Sequence, residues 1–311
     1  MDFLNAIFVA PFLDIFDSPL FFLEVIIGGL LTGVMYSLVA LGFVLIFKAS
    51  GVFNFAQGAM VLFSALTLVG LMERGFPIWL ALVGTVMVMI LLAYLVDRLV
   101  MRHLVNQEAI SLFMATIGLN IFLEGSGQMM WGSDVKALDL GIPSDSFDVG
   151  GILFNQFDLF AAVVAAVLVI VLAIVFQKTK IGRALRAVAD NHQAAMSVGI
   201  PLQHIWVVVW SAAGIVALVA GIMWGGKSGV QFSLSFIALK ALPVLILGGF
   251  TSIPGAIVGG LIIGVGEKVA EIYWGPAVGG AIENWFAYML AMVVLLVRPQ
   301  GLFGEKIIER V

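Results

Sequence analysis

The sequence predicts an all-α polytopic membrane protein of about nine transmembrane or re-entrant helices, with its N-terminus outside and its C-terminus cytoplasmic. Three observations carry that expectation. The 311-residue chain is 62% hydrophobic and only 11% charged, too few charges to keep the surface of a soluble domain wet. Its apolar residues fall in runs of roughly 17–25, the length a helix needs to cross a bilayer. Its lysines and arginines collect in alternate loops, as orientation in a membrane requires.

The runs cover residues 20–47, 52–72, 77–97, 109–131, 157–177, 204–224, 236–250, 253–273 and 284–298. The stretch 236–273 is interrupted only between Gly248 and Gly255, so it reads either as two full spans or as a re-entrant pair. Residues 1–19 are apolar but short and carry Pro11 and Asp14; they read as an interfacial helix on the outer face. The first basic residue is Lys48, so this leading segment lacks the charged region of a cleavable signal. The 35 glycines suit helices whose backbones approach closely in lipid. There is no cysteine, hence no disulfide and no thiolate chemistry.

Orientation follows from the loops. Lys48, Arg98, Arg102, Lys178, Lys180, Arg183, Arg186, Arg298, Lys306 and Arg310 fall on one side of the nine-span arrangement. Arg74, Lys136 and Lys227 fall on the other, together with Asp2, Asp14, Asp17, Asp134, Asp139, Asp145 and Asp148. The bias places residues 178–203 in the cytoplasm and 132–156 outside, within a single transmembrane domain covering 1–311. The outer loop is either a contact surface for a soluble partner or a connector that caps the bundle.

The polar segment from Lys178 to His204 is the exception to the apolar pattern. A first helix reads from Ile181 to Ala189, and a second starts at Asp190 as N-cap with Gln193 completing a capping box. Leu185, Val188, His192, Ala195, Met196 and Gly199 recur at spacings of three and four as a narrow stripe. Gly199 ends the helix and Pro201 forbids its resumption. Such a pair either lies on anionic headgroups or packs into a protein groove, and its small alanines favour the groove.

Polar residues inside apolar runs are costly and tend to face a bundle interior or a pathway. Thr116, Asn120, Glu124 and Gln128 are four apart and share one helical face. Along a pathway Glu124 would meet an ammonium group while Asn120 and Thr116 supply neutral hydrogen bonds; otherwise the same face bonds a neighbouring helix. Asn54 and Gln57 either cap a half-helix that begins within the membrane, offering amides to a carboxylate, or mark a simple helix start at the inner surface. Lys240 either snorkels past Phe236, pairs with an acid of another helix, or lines the pathway. Tyr36 and Ser37 are further lining candidates. Glu267, Lys268 and Glu271 read as a structural group in which Lys268 pairs with Glu271.

The chain has no GxxxxGK[ST] phosphate loop, no grouped histidines and no Ser, His and Asp arrangement within a span. It is therefore expected to be neither an enzyme nor the holder of a cofactor or metal.

Several segments together carry a resemblance. They are Gly51-Val52-Phe53-Asn54-Phe55-Ala56-Gln57-Gly58, Ile181-Gly182-Arg183-Ala184-Leu185-Arg186-Ala187 with Asp190 and Gly199-Ile200, and Lys240-Ala241 through Leu247-Gly248-Gly249. Ser252-Ile253-Pro254-Gly255-Ala256 with Gly259-Gly260 and the closing Arg298-Pro299-Gln300-Gly301-Leu302-Phe303-Gly304 complete the set. The chain resembles the branched-chain amino acid ABC permeases from about residue 28 to 304. The resemblance implies a bacterial inner-membrane importer subunit that works with a homologous second permease and a periplasmic binding protein. Two cytoplasmic ATPase subunits would bind the ATP and Mg, and membrane lipid would surround the chain, with no nucleic-acid partner. Their docking site would be Gly182, Arg183, Arg186, Ala187, Asp190 and Gly199. Many members carry His and Glu where this chain has Gln57 and Ala59, and relatives move urea, amides or aromatic acids, so the resemblance leaves the cargo open. The alternative, a stand-alone secondary transporter, would need a coupling site of its own, with Glu124 and Lys240 as its candidates.

Overall fold

The computed structural model describes residues 2–51, 53–104, 107–143, 145–190 and 192–304. In chain order the helices are α1 (Asp2–Phe8), α2 (Ala10–Asp17), α3 (Pro19–Ser50), α4 (Gln57–Glu73), α5 (Ile78–Leu99) and α6 (Ala109–Trp131). They continue as α7 (Gln156–Lys178), α8 (Lys180–Asp190), α9 (His192–Ser197), α10 (Leu202–Ser228), α11 (Ile237–Gly248), α12 (Ile253–Val278) and α13 (Phe286–Val297). Short 3₁₀ turns occupy Met101–Leu104, Phe232–Phe236 and Ile282–Asn284. The protein is an all-α polytopic membrane protein. Helices α3, α5, α6, α7, α10 and α12 are long and apolar enough to cross a bilayer, while α4, α13 and the Phe232–Gly248 segment are apolar but shorter. Each of the nine apolar runs coincides with one of these segments.

Three features differ from the sequence expectation. The N-terminal segment is two helices, because the chain breaks at Val9. The loop between α6 and α7 contains an antiparallel hairpin, β1 (Ser146–Val149) with β2 (Ile152–Asn155), in which Ser146 faces Asn155 and Val149 faces Ile152. Gly150 and Gly151 close it at positive φ, the two-residue turn whose twist matches that of the strands. Finally, Asp190 is the last residue of α8 and α9 begins at His192, so Asp190 does not cap the second helix. Positions 52, 306 and 310 and the His192 side chain lie outside what is described.

The chain divides into two compact units. The first comprises residues 1–40, 141–166 and 240–311. Its centre is a contact between the first part of α3 and α12, which run antiparallel. A Cβ added to Gly33 would lie 2.6 Å from the Gly260 carbonyl oxygen, and one added to Gly264 would lie 2.5 Å from the Gly33 Cα. Gly29 is equally close to Val265. Four-residue spacing on both helices lines these glycines up, so the two backbones touch directly. Ser37 Oγ adds contacts to the carbonyls of Gly33 at 2.8 Å and Ile257 at 3.1 Å.

The turn between α11 and α12 is closed from within the same unit. Ser252 Oγ accepts from the Gly255 N–H at 3.0 Å as the N-cap of α12. The N–H groups of Leu302 and Phe303 donate to the carbonyls of Leu247 and Gly248 at the end of α11. The closing Arg298–Gly304 segment therefore satisfies carbonyls that helix termination leaves free.

The second unit comprises residues 41–140 and 167–239. Helix α4 is its core, buried without interruption from Gln57 to Gly70, with α5, α6 and α10 packed around it. A helix apolar on every side belongs in such a position. Gly221 of α10 lets that helix approach the Val61 carbonyl oxygen, where a Cβ would lie at 2.8 Å. At one rim of the unit Lys136 pairs with Glu73 at 2.5 Å and the Arg74 guanidinium lies 4.5 Å from the centre of the Trp131 ring.

Gly264→Val should destabilise the purified protein by about 3 kcal/mol or more, since backbone must move to admit the side chain. Gly118→Ala is the control: nothing lies within 4 Å of the new methyl, and the helix gains up to about 1 kcal/mol. Thermal unfolding in detergent distinguishes the two, and equal melting temperatures would refute the glycine crossing.

Candidate functional site

The residues expected along a pathway separate into two groups, one in each unit. In the second unit they surround the break between α3 and α4. Helix α4 starts at Gln57 with Ala56 in the cap position and no side-chain cap bond. Asn54 lies two residues earlier, and its Oδ1 accepts from the Ala56 N–H at 3.0 Å. Asn54 is therefore the hinge of a tight turn, and Gln57 is the first helical residue; the capping expected of this pair is absent because the helix starts later.

Both side chains are fully buried and used. Asn54 Nδ2 donates to Gln57 Oε1 at 3.4 Å, and Gln57 Nε2 donates to the Ala213 carbonyl of α10 at 3.4 Å. Thr116 of α6 completes the knot. Its hydroxyl lies 2.9 Å from the Phe113 carbonyl and 3.4 Å from that of Phe53, and it accepts from the Phe55 N–H at 3.3 Å. Phe43 stacks on Phe53, and Phe53–Phe55 and Phe55–Phe113 follow edge to face, with centroids 4.7–4.8 Å apart. Trp206 Nε1 donates to the Ala49 carbonyl at the end of α3, at 3.2 Å. The helix break is thus fastened by the chain itself. Farther along the same face of α6, Asn120 and Glu124 are half-buried and Gln128 is exposed.

The first unit holds Tyr36 and Lys240, and here the structure adds residues that the sequence reading set aside. Lys240 pairs with Glu283 at 3.7 Å, the acid of another element. Tyr36 is buried with its hydroxyl within hydrogen-bonding range of the Glu267 carboxylate. Glu267 is only 3% exposed. Lys240 and Lys268 act on it attractively and Glu283 repulsively. Glu271 does not take Lys268 as its main partner. Its carboxylate accepts from the N–H groups of Ala281 at 3.0 Å and Glu283 at 3.1 Å, which fixes the turn that carries Glu283. The sequence signal for Glu267 was an acid in a glycine-rich apolar run; its i+1 lysine and i+4 acid drew the reading toward a helix-surface pair. A separate cavity of about 300 Å³ lies among Glu24, Asp158, Asn155 and Lys268, beneath the hairpin. Glu24 also accepts from the Leu153 N–H at 3.1 Å and anchors β2.

The segment expected to dock a partner splits by orientation. Leu185, Val188 and Ala195 are buried, with α8 and α9 packed on each other and on α10. Leu185, Val188 and Ala195 of the stripe thus pack within the protein, while Met196 and Gly199 stay exposed. Gly182 is buried against α7, where a Cβ would collide with the Phe176 carbonyl group. Arg186 Nη1 and Nη2 donate to the carbonyls of Phe176 at 2.8 Å and Gln177 at 3.2 Å, capping the end of α7. Gly199, at φ 85°, ends α9 as expected: its N–H donates to the Met196 carbonyl and that of Ile200 to Ala195. Arg183, Asp190, Met196 and Val198 remain exposed, and Ala187 is half-buried between the two faces.

Comparison with known proteins identifies the family. The chain is 28% identical to the high-affinity branched-chain amino acid transport system permease protein BraD of Pseudomonas aeruginosa, over 93% of this chain and 98% of that protein. It is 27% identical to the corresponding LivH permease protein of Escherichia coli, over 95% and 99% respectively. A probable LivH permease of Methanocaldococcus jannaschii is 28% identical over 89% of this chain and 91% of its own length. Residues 25–298 match the family described as the permease component of the branched-chain amino acid transport system, and the chain belongs to that family.

Proposed function

We propose that this chain is the membrane-spanning permease subunit of an ATP-driven importer for branched-chain or closely related amino acids. Its relatives are named as permease proteins of branched-chain amino acid transport systems and match nearly end to end. One observation in the structure supports it most: a helix pair, α8 and α9, braced onto α7 and α10 with a polar face left exposed. Such a pair transmits force as a unit, because Leu185, Val188, Ala195 and Arg186 are committed to the permease. Arg183, Asp190, Ala187 and the Gly199 turn then meet the ATPase, while Gly182 and Arg186 hold the pair in place.

In this reading all nine apolar segments lie in an inner membrane, N-terminus out and C-terminus in. ATP and Mg belong to two ATPase subunits, and a second, homologous permease completes the pathway. The hairpin side receives amino acid from a periplasmic binding protein. The pathway candidates are Tyr36 and Lys240 in the first unit and Asn120 and Glu124 in the second, where Asn54, Gln57 and Thr116 serve as scaffold. Closure of the ATPases pushes on the α8–α9 pair and shifts the permease between two packed states.

Arg183→Glu should leave assembly and melting temperature unchanged yet reduce ATP-coupled uptake in proteoliposomes by about tenfold or more, as expected when a contact charge is reversed. Unimpaired uptake would sink the docking assignment. Arg186→Ala should behave differently, lowering stability by about 1–3 kcal/mol because two carbonyls lose charged donors. A melting temperature unchanged by that substitution would show the cap to be unimportant.

A further inference from the structure

Resting on the importer reading, we propose that Glu267, backed by Tyr36, receives the α-ammonium group of an amino acid in transit and that Lys240 receives its carboxylate. Glu267 is 3% exposed in a helix that spans the bilayer by length and composition. Its Oε1 has no hydrogen-bond partner among the described residues. An acid fixed there for structure alone would have both oxygens satisfied, since an unpaired acceptor in an apolar surrounding is costly.

The nearby cation does not fill that role. Lys240 acts on Glu267 electrostatically but lies against Glu283, at the long distance of 3.7 Å, and both side chains of that pair are partly open, 31% and 40% exposed. A zwitterion offers each of Glu267 and Lys240 an opposite charge. Its ammonium offers three donors, enough for Glu267 Oε1, while its carboxylate competes with Glu283 for Lys240. Tyr36 interacts with the Glu267 carboxylate, and the glycine contact between α3 and α12 brings the helices carrying the two residues together. The knot around Asn54 and Gln57, in contrast, spends its polar groups on the chain itself.

The test uses the assembled transporter in proteoliposomes with its binding protein. Glu267→Gln should slow amino-acid uptake by about tenfold or more in a complex that still assembles, with Glu267→Asp recovering part of the rate. Uptake at the wild-type rate would overturn the assignment. Because the chain has no cysteine, Glu267→Cys introduces a unique thiol on this subunit. It should react with aminoethyl methanethiosulfonate during turnover, more slowly under saturating amino acid. No reaction in any state, while the exposed Asp148→Cys reacts, would also overturn it. Should the Glu267 variants fail to assemble, Lys240→Gln decides: a raised KM for uptake supports the pair, and an unchanged KM refutes it. Absence of ATP-driven amino-acid uptake by the wild type would count against the importer reading. Wild-type uptake with an unimpaired Glu267→Gln would count against this site alone.

Discussion

Hydrocarbon offers no water to a broken helix, so every backbone group freed where a helix stops must find its partner in the protein. This requirement explains more of the chain than any other. After α3, Trp206 and the Asn54 turn take up the loose ends, and Thr116 pins the link. Beyond the apolar segments, where water also serves, Arg186 still caps the end of α7. After α9, the Gly199 turn closes on Ala195 and Met196. After α11, Leu302 and Phe303 return from near the end of the chain to donate to its last carbonyls. The segments that carry the family resemblance are these closures.

The same closures leave certain groups available. Once Arg186 and the buried face of α8 are committed inward, Arg183 and Asp190 are left on the outside of the pair. Once Asn54, Gln57 and Thr116 are engaged with the chain, they act as scaffold, and the charged chemistry rests with Tyr36, Lys240, Glu267 and Glu283. The charged set sits beside backbone contacts made possible by glycine, where a side chain has no room to screen it. In the proposed reading, transport divides between these rigid joints and the charged groups around Glu267.

Much of this was legible in the sequence. The length of the apolar runs located the helices to within a few residues, because bilayer thickness leaves a spanning segment little freedom. The stop at Gly199 was legible because positive φ is a local property of the backbone. The hairpin at 146–155 was not read, since eight strand residues carry too little periodicity, although the Gly150-Gly151 pair marked its turn. Partners at long range were also hidden. Arg186 read as a docking cation; that it also caps α7 shows only where the ends of α7 and α8 meet. Glu267 read as one member of a helix-surface pair because Tyr36 is more than two hundred residues away. Sequence shows that a buried charge is costly; only the fold shows what answers it.

The most direct test is to tag this chain, release it gently from native membranes and weigh the intact assembly by native mass spectrometry. The account predicts a complex containing a second permease chain and two ATPase subunits, dissociating from the ATPases first. A chain that emerges alone from several detergents, and still moves its substrate on an ion gradient, would contradict it.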